Sequence, residues 1–161
     1  MTIGIAVIGY GYWGPNLARN FCDTPGACLV AVADRDSSRR ALAALRHPSV
    51  KTFTGLDEVL ALREVDAVVI ATPCASHFQL CRTALEAGRD VLVTKPMTMT
   101  SAEAQTLVAL AEKFGRVLMV DHTFVYTGAV RKLHELVESG RLGQLLYYDS
   151  IRVNLGLFQY D

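Results

Sequence analysis

Short apolar runs alternate along the chain with longer stretches whose apolar positions recur at helical spacing. Residues 3–8 are apolar almost throughout and end at Gly9, the pattern of a strand covered on both faces. A helix is predicted over 15–21, where Pro15 suits a first turn. Residues 28–33 form a second strand. Ser37 or Ser38 can then cap a helix that carries Ala41, Leu42 and Leu45 on one face. A weak third strand over 50–53 and a short helix over 56–62 follow. Residues 66–71 make a strong fourth strand. Ser76 can cap the next helix, in which Phe78, Cys81 and Leu85 share a face and Gly88 marks the end. Residues 90–93 form the fifth strand. Thr100 and Glu103 have capping-box spacing ahead of a helix with Leu107, Leu110, Ala111 and Phe114 at i, i+3, i+4 and i+7, closed by Gly115. Residues 117–120 form the sixth strand.

Six strands separated by helices predict an α/β fold, a doubly wound parallel sheet, over residues 1–121. The texture changes over 122–161. A helix is predicted over 128–139, with Val130, Leu133 and Val137 on one face, and a long strand over 145–153. A single strand makes no stable sheet. Residues 122–161 therefore read as a crossover helix and the first strand of an incomplete second α+β domain. An unpaired strand over 145–153 also offers an edge to a second copy, so a homo-oligomer is expected there.

Composition narrows the class. The chain has 161 residues, 51% of them hydrophobic and 20% charged, which is globular and not disordered. Lys+Arg and Asp+Glu both number 16, leaving no basic surface for nucleic acid. No apolar run is long enough for a membrane span, and the N-terminus lacks the cationic lead of a signal peptide. Cys22, Cys28, Cys74 and Cys81 form no Cys-x-x-Cys pair. They are expected to be buried or half-buried free thiols of a cytoplasmic protein, with no metal site.

The chemistry begins at Gly9-Tyr10-Gly11-Tyr12-Trp13-Gly14. This G-x-G-x-x-G follows a predicted strand, opens a predicted helix, and precedes Asp34 at the end of the second strand. That context marks a Rossmann dinucleotide site. Gly9 permits the tight turn, Gly11 lets the backbone approach a pyrophosphate, and Gly14 lets helix and strand pack closely. The helix N-terminus faces the phosphates. Asp34 can accept both ribose hydroxyls, which favours NAD over NADP. Arg35, Arg39 and Arg40 lie near enough to soften that preference. Flavin and S-adenosylmethionine proteins use similar glycine turns. Tyr12 and Trp13 can pack on the cofactor or on a neighbouring domain.

Three further segments follow strand ends, where open α/β sheets bind ligands: Ala71-Thr72-Pro73-Cys74-Ala75-Ser76-His77, Val93-Thr94-Lys95-Pro96, and Asp121-His122-Thr123-Phe124-Val125-Tyr126. With the fingerprint, and with Asn154-Leu155-Gly156-Leu157-Phe158, they resemble the Gfo/Idh/MocA oxidoreductases. The resemblance implies a dehydrogenase that transfers a hydride to or from a hydroxyl carbon of a sugar or nucleotide sugar. It implies that Lys95 polarises the reacting oxygen and that His122 lies on the catalytic side. It also implies that Thr72, Pro73, His77, Thr94 and Pro96 line the cofactor. Thr94 departs from the family, which usually has glutamate there. The family's acid/base histidine belongs to a motif further downstream than this sequence reaches. Two other readings stay open: a dinucleotide-binding module or inactive fragment without catalysis, and an interaction protein that uses the 145–153 edge.

Overall fold

The first strand, β1 (Ile3–Ile8), shows how the sheet is built. Side chains leave an extended backbone on alternating faces. Ile5 and Val7 enter one apolar core, and Ala6 and Ile8 enter another. Both faces are covered, which is why the run is apolar throughout. The computed structural model describes residues 2–151 and 153. Five more strands join β1 in it: β2 (Ala27–Ala33), β3 (Lys51–Phe53), β4 (Ala67–Ile70), β5 (Asp90–Thr94) and β6 (Leu118–Asp121). All pairs are parallel, in the order β3-β2-β1-β4-β5-β6.

The helices divide between the faces. Leu17 and Ala18 of α1 (Gly14–Asp23) and Ala43 of α2 (Ser37–Arg46) pack with Ile5 and Val7. The other core takes Leu56 and Val59 of α3 (Leu56–Leu60), Cys81, Ala84 and Leu85 of α4 (His77–Glu86), and Leu107 and Ala111 of α5 (Ser101–Phe114). The sheet is doubly wound, as the alternation of runs predicts. The strand order reverses between β1 and β4. Loops leaving those two strands diverge there and open a crevice at their carboxyl ends.

The capping box of α5 forms as expected. Thr100 Oγ1 accepts from the N–H of Glu103 at 3.3 Å, and the Glu103 carboxylate accepts from the N–H of Thr100 at 3.2 Å. Gly115 ends the helix in the left-handed region, at φ 59°.

Several local expectations are corrected. Asp36, not a serine, caps α2: its carboxylate accepts from the Ser38 N–H at 2.8 Å and the Ser38 hydroxyl at 2.7 Å. The inward face of α2 carries Ala43, while Ala41, Leu42 and Leu45 are exposed. Arg40 ties α2 to the end of β2 by donating to the carbonyls of Asp34 and Arg35 at 2.8 and 2.9 Å. Ser76 makes no cap for α4. A short 3-10 turn, Cys74–Ser76, precedes that helix, and the Ser76 hydroxyl donates to the Pro73 carbonyl at 2.7 Å. The four cysteines are free, but Cys22 and Cys28 are exposed, because they sit on the outward side of α1 and at the start of β2.

The chain divides into two compact units, Met1–His122 and Thr123–Asp161. In the second, a 3-10 turn, Thr123–Tyr126, leads into α6 (Gly128–Glu138). The strand expected over 145–153 does not form among the described residues. Residues 145–151 and 153 carry no regular structure and are exposed. A strand is held by its ladder, and no described segment pairs with this one. The Asn154-Leu155-Gly156-Leu157-Phe158 segment lies outside the described residues.

Candidate functional site

The glycine turn after β1 is built by close contacts. Gly9 has φ 95°, and a Cβ there would stand 2.6 Å from the Ala71 carbonyl oxygen. A Cβ on Gly14 would run into the Gly9 carbonyl oxygen, so only glycine brings the start of α1 this close to the strand end. Gly11 is different: a Cβ there would meet no backbone, only the Arg39 side chain, with Nη1 at 3.3 Å. α1 is ten residues long and has no side-chain cap at its N-terminus. Its first-turn N–H groups and the positive end of its dipole therefore face the crevice. An open glycine turn against an uncapped helix start fits a diphosphate.

Asp34 follows β2 and is only 9% exposed. One carboxylate oxygen accepts from the Tyr10 N–H at 2.7 Å, the other from the Asp36 N–H at 2.9 Å. Arg39 Nη1 lies 3.7 Å from the first. The acidic residue of the fingerprint thus also anchors the glycine turn. The arginine that reaches this turn is Arg39. Arg35, expected as a cofactor contact, is exposed, and its side chain makes no hydrogen bond among the described residues. Three nearby arginines signalled a cation here, but the orientation of α2 selected which one.

Beyond the switch point, the loops after β4 and β5 meet. Thr72 Oγ1 pairs with Ser76 Oγ at 2.7 Å. His77 is 1% exposed, with Nδ1 2.8 Å from the Pro96 carbonyl and Nε2 2.8 Å from the Thr72 carbonyl. The Cys74 thiol donates to the same Pro96 carbonyl at 3.6 Å, and burial, then the charge of Glu103, pushes that thiol above its ordinary pKa. Thr94 Oγ1 lies 3.5 Å from His77 Nε2. The Lys95–Pro96 peptide is cis. Lys95 itself is exposed and makes no ion pair or hydrogen bond among the described residues, which leaves its ammonium available. Pro73 and Pro96 are exposed as well. His77, expected to line the cofactor, is buried between these two loops.

Across the crevice, the indole Nε1 of Trp13 donates to Asp121 Oδ2 at 2.9 Å. Trp13 belongs to the loop after β1 and Asp121 ends β6, with β4 and β5 lying between them in the sheet. Tyr12 stacks on Trp13 at 6.4 Å between centroids and is 71% exposed. The segment pattern did not single out Asp121 as a partner, since the bond joins residues 108 apart. His122 is exposed, and its ring makes no hydrogen bond among the described residues. No group of three His, Cys, Asp or Glu among them could hold a metal. No described helix is long and apolar enough to cross a membrane.

The model of the Gfo/Idh/MocA oxidoreductase family, NAD-binding Rossmann fold, matches residues 3–122. The chain belongs to this family. It is 37% identical over 125 residues to a dTDP-3,4-didehydro-2,6-dideoxy-alpha-D-glucose 3-reductase of Streptomyces violaceoruber, covering 78% of this chain and 36% of that one. Among solved structures it is similar to GenD2 from gentamicin A biosynthesis in complex with NAD. That match has 36% identity and a TM-score of 0.82, over 87% of this chain and 40% of the other. It is also similar to the K102A mutant of KijD10, a 3-ketoreductase from Actinomadura kijaniata in complex with TDP-benzene and NADP. There the identity is 26% and the TM-score 0.80, over 89% and 46% of the two chains. The chain spans about two-fifths of the length of the first curated relatives it matches. Dinucleotide binding by an oxidoreductase family is thereby shown, and relatives carry either NAD or NADP.

Proposed function

We propose that this domain binds NAD in preference to NADP and serves a dehydrogenase acting on a hydroxyl carbon of a sugar or nucleotide sugar. The observation that carries the cofactor preference is the Asp34 carboxylate beside the glycine turn. Its remaining lone pairs can accept the hydroxyl hydrogens of a ribose, whereas a 2′-phosphate would bring like charge against it. Arg39, half exposed at 3.7 Å, tempers that repulsion. The sugar reading is supported by the names of the relatives, a dTDP-sugar 3-reductase and a 3-ketoreductase crystallised with a TDP compound.

When bound, the dinucleotide supplies the hydride donor or acceptor. The chain's own groups bind and orient. The turn at Gly9, Gly11 and Gly14 and the first N–H groups of α1 hold the diphosphate. Thr72, Pro73, Thr94 and Pro96 line the crevice beyond it. The Lys95 ammonium donates to the reacting oxygen and stabilises charge developing there. His122, at the end of β6, stands on the substrate side, and residues 122–161 lead into a second, substrate-carrying domain. A reading without catalysis is favoured by one observation: Thr94 is a short neutral side chain where the family pattern has glutamate.

Titration of the purified chain with NADH and with NADPH, read by nicotinamide fluorescence, tests the cofactor reading. Saturable binding, tighter for NADH, is expected. No saturation with either would overturn it. In the protein that carries this domain, sugar-dependent reduction of NAD would eliminate the reading without catalysis.

A further inference from the structure

Trp13 belongs to two parts of the fold at once. Its backbone begins α1: the Trp13 carbonyl accepts from the N–H groups of Asn16 and Leu17 at 3.0 and 3.3 Å. Its side chain reaches the other end of the crevice, where Nε1 donates to Asp121 Oδ2 at 2.9 Å. Tyr12 stacks against the indole, with ring planes 22° apart. An indole N–H only donates and an ionised carboxylate only accepts, so the bond has a single sense. Asp121 is held in turn by the sheet: it ends β6 and pairs with Thr94 in the register of β5 and β6, one residue before Lys95.

The strand order says what meets this bond. Asp34, which follows β2, lies on one side of the glycine turn, and β4, β5 and β6 lie on the other. A dinucleotide with its adenosine ribose at Asp34 and its diphosphate at the turn carries its nicotinamide half over the ends of β4 and β5. The Trp13–Asp121 bond spans those same strand ends. We propose that Asp121 is a positioning residue: by accepting the indole N–H it holds Trp13 as the aromatic surface against which the nicotinamide half packs. The proposal rests on the dinucleotide reading above. A free indole has to be ordered at each binding event, at a cost in affinity, and the bond orders it beforehand. The adenosine half lies on the far side of the turn and gains nothing from that order.

The test compares NADH with ADP, which carries the adenosine and the diphosphate without the nicotinamide half. NADH is titrated by nicotinamide fluorescence, and ADP by its displacement of NADH. In Asp121→Ala, NADH is expected to bind about three- to tenfold more weakly and ADP as in wild type. Trp13→Phe, which keeps a ring and removes the donor, should reproduce this split. Asp121→Asn keeps an acceptor oxygen and should bind NADH within about twofold of wild type. Equal weakening of NADH and ADP would make the bond merely structural, and an unchanged NADH affinity in Asp121→Ala would give it no part in binding. Tighter NADH binding in that variant would mean that the bond obstructs the crevice. Asp121→Asn as weak as Asp121→Ala would place the effect in the charge instead of the bond. Each of these four results overturns the proposal. If Asp121→Ala fails to fold, Trp13→Phe supplies the comparison. If the wild-type chain binds no NADH, or ADP does not displace it, the dinucleotide reading falls and the proposal with it.

Discussion

The carboxylate of Asp34 accepts the backbone N–H of Tyr10 at 2.7 Å, joining the end of β2 to the turn that follows β1. The same carboxylate accepts the N–H of Asp36. Asp34 is therefore scaffold as well as the proposed ribose contact, and the two roles separate by mutation. Asp34→Ala leaves the buried Tyr10 N–H without its acceptor and is expected to cost about 1–3 kcal/mol of stability. Arg39→Ala touches a half-exposed side chain and should change stability by under about 0.5 kcal/mol. It should also sharpen the preference for NADH over NADPH, because the cation that tempers Asp34 is gone. Thermal melts and paired titrations check both. An Arg39→Ala chain with an unchanged NADH/NADPH ratio would remove Arg39 from the specificity argument.

Trp13 is the single tryptophan of the chain, and its indole is bonded to Asp121 over the crevice. NADH entering the crevice should quench Trp13 emission and sensitise nicotinamide emission. Asp121→Ala should shift the emission of the free chain and leave stability within about 0.5 kcal/mol, since the bond is solvent-exposed. An emission spectrum untouched by Asp121→Ala would mean that the bond is not populated in solution.

Tyr10 is 1% exposed, and its hydroxyl finds no hydrogen-bond partner among the described residues. A buried hydroxyl without a partner is destabilising. Tyr10→Phe keeps the ring in the core beside Leu17 and Val32 and removes that burden. Its stability should equal or exceed wild type, by up to about 1 kcal/mol. A denaturant midpoint well below wild type would show that the hydroxyl has a partner after all.

Two caps respond to acid. Hydrogen bonds from the Ser38 hydroxyl and N–H hold Asp36 below the ordinary carboxylate value, and those from the Thr54 hydroxyl and N–H do the same for Glu58. A lowered folded-state pKa adds stability above the unfolded pKa and loses it as pH falls through the folded one. The starts of α2 and α3 should therefore stay closed at neutral pH and loosen below about pH 4. Hydrogen exchange at Ser38 and Gly55 reports this. Asp36→Asn should flatten the response at Ser38, and an unchanged exchange profile in that variant would locate the acid sensitivity elsewhere.

Much of the fold was legible because its signals are local. β1 reads as buried from its unbroken apolar run, α5 announces both ends through Thr100, Glu103 and Gly115, and the spacing of Gly9, Gly11 and Gly14 identifies the turn. The errors fall where a nearby competitor was stronger than the pattern. Asp36, carrying a full charge one residue upstream, caps α2 in place of Ser37 or Ser38. α2 turns the small Ala43 to the core, so the apolar Leu42 and Leu45 face out. Segment 145–153 has strand-forming residues, but strand propensity alone makes no ladder.

By itself, the sequence determined the alternation of strands and helices, the glycine turn and the acidic residue that completes the fingerprint. Each depends on spacing within one or two elements. Tertiary structure alone decided which arginine stands over Gly11, that Trp13 reaches Asp121, and that His77 is buried between two carbonyls. Those are contacts between loops brought together at the carboxyl ends of separate strands. Their geometry follows from the strand order and the rotation of each helix, which no spacing along the chain encodes.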